Sequence, residues 1–239
     1  MPQFEARDGA KLAYRETGAG SPLILFHGLT STATMAWIDT GHAEVLATRG
    51  HRVIMPDLRG HGDSVHRHAL PDALADDGLA LVEHLGLDDY DLGGYSLGGR
   101  VVARMLVRGA TPRRAIVGGQ GTRQLAGEGG GAGDLVRHVA DGTVGAESPM
   151  AQWLKKSGAD VTALVHVLDS LVPTGPADLA AIRVPTLVVA GEQDTRAASA
   201  KDLAEALPNA TYVTIPGDHG SAAANPALAE AMADFLARG

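Results

Sequence analysis

The sequence predicts an α/β fold: a mostly parallel, doubly wound sheet of about eight strands, with a small helical cap inserted after the sixth. Three observations carry this expectation. Short, continuously apolar runs at residues 23–26, 53–55, 115–117 and 186–190 suit parallel strands buried on both faces. Stretches with helical apolar spacing lie between the runs. The span 122–182 is too long for an ordinary loop between two core strands, so it reads as an insertion.

Taken in order, residues 3–6 and 11–16 read as strands around Asp8-Gly9, a hairpin signal. The runs at 23–26 and 53–55 follow as the third and fourth strands. Residues 72–85 repeat apolar side chains at helical spacing until Gly86 stops them. A weaker strand at 90–92 precedes a helix at 97–107, and the strand at 115–117 follows. Within the insertion, residues 134–140 and 160–171 read as helices, and the glycine run 127–133 reads as a hinge or lid edge. The strand at 186–190 leads to a helix at 198–207, and residues 212–215 are rich in β-branched side chains. Asn225-Pro226 then supplies an N-cap and a first-turn proline for a helix at 227–236. The expected division is a core of residues 1–121 and 183–239 with a cap at 122–182.

Composition narrows the function classes. Hydrophobic residues at 45% against 20% charged give enough apolar surface to fold rather than stay disordered. The 28 acidic and 20 basic residues leave −8, with no basic cluster for nucleic acid, and 4% aromatics argue against a base-stacking platform. The absence of cysteine excludes disulfides, a thiolate nucleophile and Cys-ligated metal. No apolar run is long enough to span a membrane, and residues 1–8 carry no leader pattern, so a cytoplasmic protein is expected. The glycine and lysine patterns of nucleotide-binding loops are missing; Gly119-Gln120-Gly121 lacks the third glycine of a dinucleotide fingerprint.

The strongest chemical signal is Gly94-Tyr95-Ser96-Leu97-Gly98, a G-x-S-x-G between a predicted strand and a predicted helix. Small residues must flank a serine on so tight a turn, and the following helix offers amides and a dipole to developing negative charge. A serine hydroxyl is a poor nucleophile at neutral pH and needs a base with an orienting group. His219, after the last strand, can be the base. Asp194, after the strand at 186–190, can orient it, with Glu192 as the rival acid. The order Ser96, Asp194, His219 fits the reaction template, each residue lying just past a strand's C-terminal end.

With these residues in view, and with Phe26-His27-Gly28-Leu29 and Asp57-Leu58-Arg59-Gly60-His61-Gly62-Asp63-Ser64 after two further strands, the chain resembles the α/β-hydrolase superfamily nearly end to end. The resemblance implies a catalytic Ser96, Asp194 and His219, an oxyanion hole from the backbone N–H groups of Leu29 and Leu97, and a structural role for the Arg-Gly-His-Gly turn. A serine rather than an aspartate at 96 disfavours dehalogenase and epoxide-hydrolase chemistry. The family often carries Gly-His at the base position, where this chain inserts Asp218.

Other residues read more blandly. His27 and His61 are structural hydrogen-bonding residues, while Asp57, Arg59 and Asp63 hold turns. His61, His66 and His68 invite a zinc reading, but no strong helical pair with an acidic third ligand accompanies them. Trp37 and Trp153 read first as packing residues, and they are also the candidates to line a substrate pocket, Trp153 through its place in the cap. The neighbourhood of Leu29, Leu97 and Trp37 is apolar, and no convergent cationic cluster is expected. A cationic cap residue such as Arg123 or Arg137 lining the pocket would instead favour a carboxylated ring-cleavage substrate. The expected function is hydrolysis of a small or medium ester, lactone or thioester through an acyl-enzyme on Ser96, without cofactor or metal. The expected assembly is a monomer or small homo-oligomer whose partner is the small acyl substrate, with no nucleic acid or membrane. The same triad also serves C–C hydrolysis of a vinylogous diketone and cofactor-free perhydrolysis; a non-catalytic, receptor-like ligand binder is the reading from another class.

Overall fold

The structure, a computed structural model, describes residues 1–64, 70–128, 131–157 and 159–238. Its centre is an eight-stranded sheet in the order β1-β2-β4-β3-β5-β6-β7-β8. The strands are β1 (Gln3–Glu5), β2 (Lys11–Thr17), β3 (Ser21–Phe26), β4 (His51–Pro56), β5 (Asp91–Tyr95), β6 (Ala115–Gly118), β7 (Thr186–Gly191) and β8 (Ala210–Ile215). β1 and β2 form the predicted antiparallel hairpin and β2 pairs antiparallel with β4, while every pair from β4 to β8 is parallel.

The helices in chain order are α1 (His42–Thr48), α2 (Ala73–His84), α3 (Leu97–Val107), α4 (Thr122–Leu125), α5 (Ala132–Ala140), α6 (Pro149–Ser157), α7 (Val161–Asp169), α8 (Pro176–Ala181), α9 (Ala200–Ala206), α10 (His219–Ala223) and α11 (Pro226–Leu236). A π-helical turn, Thr34–Ile38, precedes α1. α1, α4, α6, α8 and α10 were not among the predicted helices, and none exceeds nine residues. Such short pieces offer too few periodic positions to read from sequence and owe their stability to packing.

The apolar runs behave as their composition requires. Along β3, Leu23 and Leu25 enter one core cluster with Trp37, Leu46 and Met232, whereas Ile24 and Phe26 enter the opposite one with Leu81, Val102 and Met105. Leu187 and Val189 of β7 again part from Val188 and Ala190 in the same way. Alternate side chains therefore serve two cores, one per face, and no polar alternation remains to see in the sequence.

Between β6 and β7 the chain runs through α4 to α8. Val136 of α5, Leu154 of α6 and Leu164 of α7 close a third, small cluster of their own, against which Leu29 also packs. Within the glycine run, Gly127 and Gly131 hold positive φ of 81° and 55°, while Gly129 and Gly130 lie outside the described residues.

Candidate active site

All strands from β4 to β8 point the same way, so the loops that follow β3, β5, β6, β7 and β8 gather at one end of the sheet. The chain order reverses between the neighbours β3 and β5, the place where an open α/β sheet leaves a crevice. Ser96 follows β5 there, Leu29 follows β3, Asp194 follows β7 and His219 follows β8.

The elbow explains its own sequence. Ser96 sits at φ 56° and ψ −119°, a conformation that costs a non-glycine residue about 1–3 kcal/mol. Although it is the residue before α3, its hydroxyl caps no amide. A Cβ on Gly98 would lie 1.9 Å from the Phe26 carbonyl oxygen, and one on Gly94 would lie 2.3 Å from the Gly98 carbonyl carbon. Those two positions must be glycine because strand and helix backbones cross there in contact.

The freed hydroxyl is hydrogen-bonded to the imidazole: Ser96 Oγ lies 2.9 Å from His219 Nε2. The other ring nitrogen, Nδ1, lies 2.8 Å from Asp194 Oδ2. Asp194 is buried, and its second oxygen accepts from the backbone amides of Arg196 and Ala197, each at 3.0 Å. Burial alone pushes its carboxyl up, but the His219 bond and the two amides outweigh this and hold it below the ordinary carboxylate range. Glu192, the rival acid, is exposed. Asp218 directs its carboxylate into capping α10, accepting from the Ser221 amide at 2.8 Å, so the extra residue before His219 secures the turn that carries the base.

Three residues that sequence reasoning passed over support this row. The Tyr95 hydroxyl donates to the His219 carbonyl at 3.1 Å, and its ring lies 5.5 Å from the imidazole. Gly119, at φ 60°, leaves room for both: a Cβ there would be 2.8 Å from the Tyr95 ring and 3.2 Å from His219 Cε1. Gln120 is buried and its Nε2 donates to the Ser96 carbonyl at 2.6 Å. The signal available for all three was adjacency to the carboxyl ends of β5 and β6, which becomes informative only when the strand order is known.

Ser96, His219, Leu29 and Leu97 line a cavity of about 620 Å3. The apolar setting expected around them is corrected by the rest of the wall, to which Arg100, Arg123, Arg137 and Arg196 all contribute. Neither expected tryptophan lines this cavity. Trp37 is sealed in the core against Leu46 and Met232, because the π-helical turn that carries it packs inward. Trp153 is 43% exposed and its Nε1 donates to Thr30 Oγ1 at 3.3 Å, joining α6 to the loop after β3.

The remaining motif residues build the frame. His27 Nε2 accepts from the Leu58 amide at 2.9 Å and its Nδ1 donates to the Gly28 carbonyl at 2.8 Å, so the ring is neutral. His61 packs edge-on against it, at 5.0 Å between ring centres, with Nδ1 3.0 Å from the Arg59 carbonyl. Burial pushes both imidazoles well below the ordinary histidine range. Asp57 accepts from Ala33, Asp63 and Arg15, and Arg59 is buried between Asp77 and Asp8. His66 and His68 lie outside the described residues.

Comparison with known proteins agrees with this architecture. The model of the alpha/beta hydrolase fold family matches residues 21–117, and that of a TAP-like protein family matches residues 170–239. A hydrolase from Pseudomonas aeruginosa PA01 superposes with a TM-score of 0.79 at 25% identity, covering 99% of this chain and 98% of that one. The chain belongs to the α/β-hydrolase superfamily. Among curated superfamily relatives, a non-heme haloperoxidase from Rhodococcus erythropolis is 38% identical over 120 residues, or 48% of this chain and 42% of that protein. A bifunctional esterase/perhydrolase from Acinetobacter calcoaceticus is 33% identical over 114 residues, 45% of this chain and 40% of that one. The chain thus matches less than half the length of these relatives.

Proposed function

We propose that this α/β-hydrolase is a serine hydrolase that cleaves small to medium esters, lactones or thioesters through an acyl-enzyme on Ser96. The observation that carries the reading is the continuous row Ser96 Oγ, His219, Asp194, bonded at 2.9 and 2.8 Å at the wall of a cavity. In this reading Ser96 Oγ attacks the acyl carbonyl as His219 Nε2 takes its proton. Asp194 holds the ring by Nδ1 and stabilises the imidazolium that forms. The amides of Leu29 and Leu97 hold the oxyanion, a contribution worth about 10²–10³ in rate per donor. His219 returns the proton to the leaving group, then activates the water that releases the acid. The helices α4 to α8 act as the cap, and the substrate is the only partner the cycle requires.

A second reading uses the same acyl-enzyme with hydrogen peroxide in place of water, releasing a peracid. It is favoured by the name of the Acinetobacter relative, an esterase/perhydrolase. One experiment tests both. The protein is incubated with a fluorophosphonate and, separately, with an activated acyl ester in the presence and absence of peroxide. Labelling and burst turnover that vanish in Ser96→Ala are expected, and peracid formation would add the second activity. Tight ligand binding with no labelling and no product would overturn the catalytic reading in favour of a receptor-like protein.

A further inference from the structure

The cavity beside Ser96 holds more positive charge than ester hydrolysis requires. Arg100, Arg123, Arg137 and Arg196 face it, against Glu128 and Asp134, in a chain whose acidic residues outnumber its basic ones by 28 to 20. A concave wall of one sign concentrates the field at its mouth and raises the local concentration of the opposite ion.

The four guanidiniums are engaged to different degrees. Arg123 lies 3.5 Å from Glu128 and Arg137 lies 2.8 Å from Asp169, both on exposed side chains. Arg196 has no carboxylate within 4.0 Å among the described residues, and neither does Arg100. Arg100 is the more telling, because it is largely buried. Its Nη1 donates to the Gln124 carbonyl at 2.6 Å and its Nη2 to the Val172 carbonyl at 3.2 Å, while its Nε is buried without a partner. Neutral carbonyls orient a guanidinium but do not neutralise it, and a cation withdrawn from water is normally paired with an anion. Arg100 stands four residues after Ser96 on α3, roughly 6 Å along the helix axis, and both residues line the same cavity.

We infer that this cavity binds a carboxylate carried by the substrate itself, with Arg100 and Arg196 supplying the uncompensated charge and Arg123 and Arg137 completing the wall. The inference rests on the hydrolase reading for its role in turnover, and it names the substrate class: half-esters of short dicarboxylic acids, or lactones bearing a free carboxylate. A planar guanidinium fork matches a carboxylate with two parallel hydrogen bonds. Glu128 and Asp134 in the wall, with Asp169 paired to Arg137, offset three of the four guanidiniums and leave one positive charge, suited to a singly charged group better than to a phosphate dianion.

The test compares 4-nitrophenyl hydrogen glutarate with the neutral 4-nitrophenyl hexanoate in the native protein, in Arg100→Met and in an Arg123→Gln/Arg196→Gln double variant that spares the buried residue. The ratio of kcat/KM for the charged over the neutral ester should favour the charged one in the native protein. It should drop about 10–100-fold in Arg100→Met and by a smaller factor in the double variant. Ratios that stay within about twofold across all three proteins would overturn the inference. Calorimetric titration of Ser96→Ala with glutarate, and in parallel with inorganic phosphate, separates this outcome from failure of the hydrolase reading. Arginine-dependent glutarate binding without fluorophosphonate labelling of the native protein would sink the hydrolase and keep the subsite. Labelling with arginine-independent kinetics would do the reverse, and binding of phosphate but not glutarate would also overturn the carboxylate assignment.

Discussion

At the scale of single residues, the site is built by conflicts that the surrounding structure resolves. Ser96 is held at a positive φ that glycine would adopt freely. Ser96→Gly should therefore raise the stability of the protein by about 1–3 kcal/mol in urea unfolding while abolishing turnover, the usual exchange of function for stability at a strained position. An unchanged or lowered midpoint would mean that the elbow carries no stored strain. Asp194 is the complementary case. Asp194→Asn keeps the size of a buried side chain, but with its amide oxygen held by the Arg196 and Ala197 N–H groups its NH2 faces Nδ1 and donates there, so the imidazole is held in the wrong tautomer. The protein should fold, and kcat should fall by about 10⁴. Near-native rates would move the orienting role elsewhere.

At the scale of elements, backbone contact sets the limits. α3 meets the end of β3 so closely that Gly98→Ala forces its methyl into the Phe26 carbonyl, and urea unfolding should show a loss of about 1–3 kcal/mol or more. The segment α5 to α7 is different. Its own cluster is Val136, Leu154 and Leu164, a small fraction of the apolar surface that each sheet face buries. Little buried apolar area means a low free energy of local opening. Backbone amides of α5 to α7 should exchange with solvent well before those of β3, β5 and β7, as hydrogen-exchange mass spectrometry would record. Equal protection would mean that these helices and the sheet open as one unit.

At the scale of the whole molecule, buried imidazoles link folding to pH. Burial depresses His27, His42, His51 and His61 below the ordinary value. As pH falls through about 6.5 the unfolded chain takes up protons on these rings, while the folded protein resists until lower pH. The unfolded state binds more protons on these rings in that interval, so stability should decline as pH drops from about 7 to 5. A denaturation midpoint constant over that range would contradict the neutral, buried state of these rings. No helix among the described residues is long and apolar enough to cross a membrane.

The sequence by itself determined the sheet, its long helices and the elbow at Ser96, because each is a local pattern. It offered His219 and Asp194, with Glu192 as rival acid, until the fold brought the first two into one row. Continuous apolar runs mark strands buried twice over, a helical period marks α2, α3 and α11, and Gly94 and Gly98 betray a crossing that tolerates no Cβ. Only the tertiary structure decided what surrounds the row. Trp37 went into the core and Trp153 to the outside, since a lone tryptophan carries no sign of which way its helix turns. Arg100, Arg123, Arg137 and Arg196 converge from α3, α4, α5 and the loop after β7, segments separated by up to 96 positions between residues 100 and 196. Convergence of charge at such distances depends on the order of strands and the packing of the inserted helices, and neither is encoded in any one stretch of the chain.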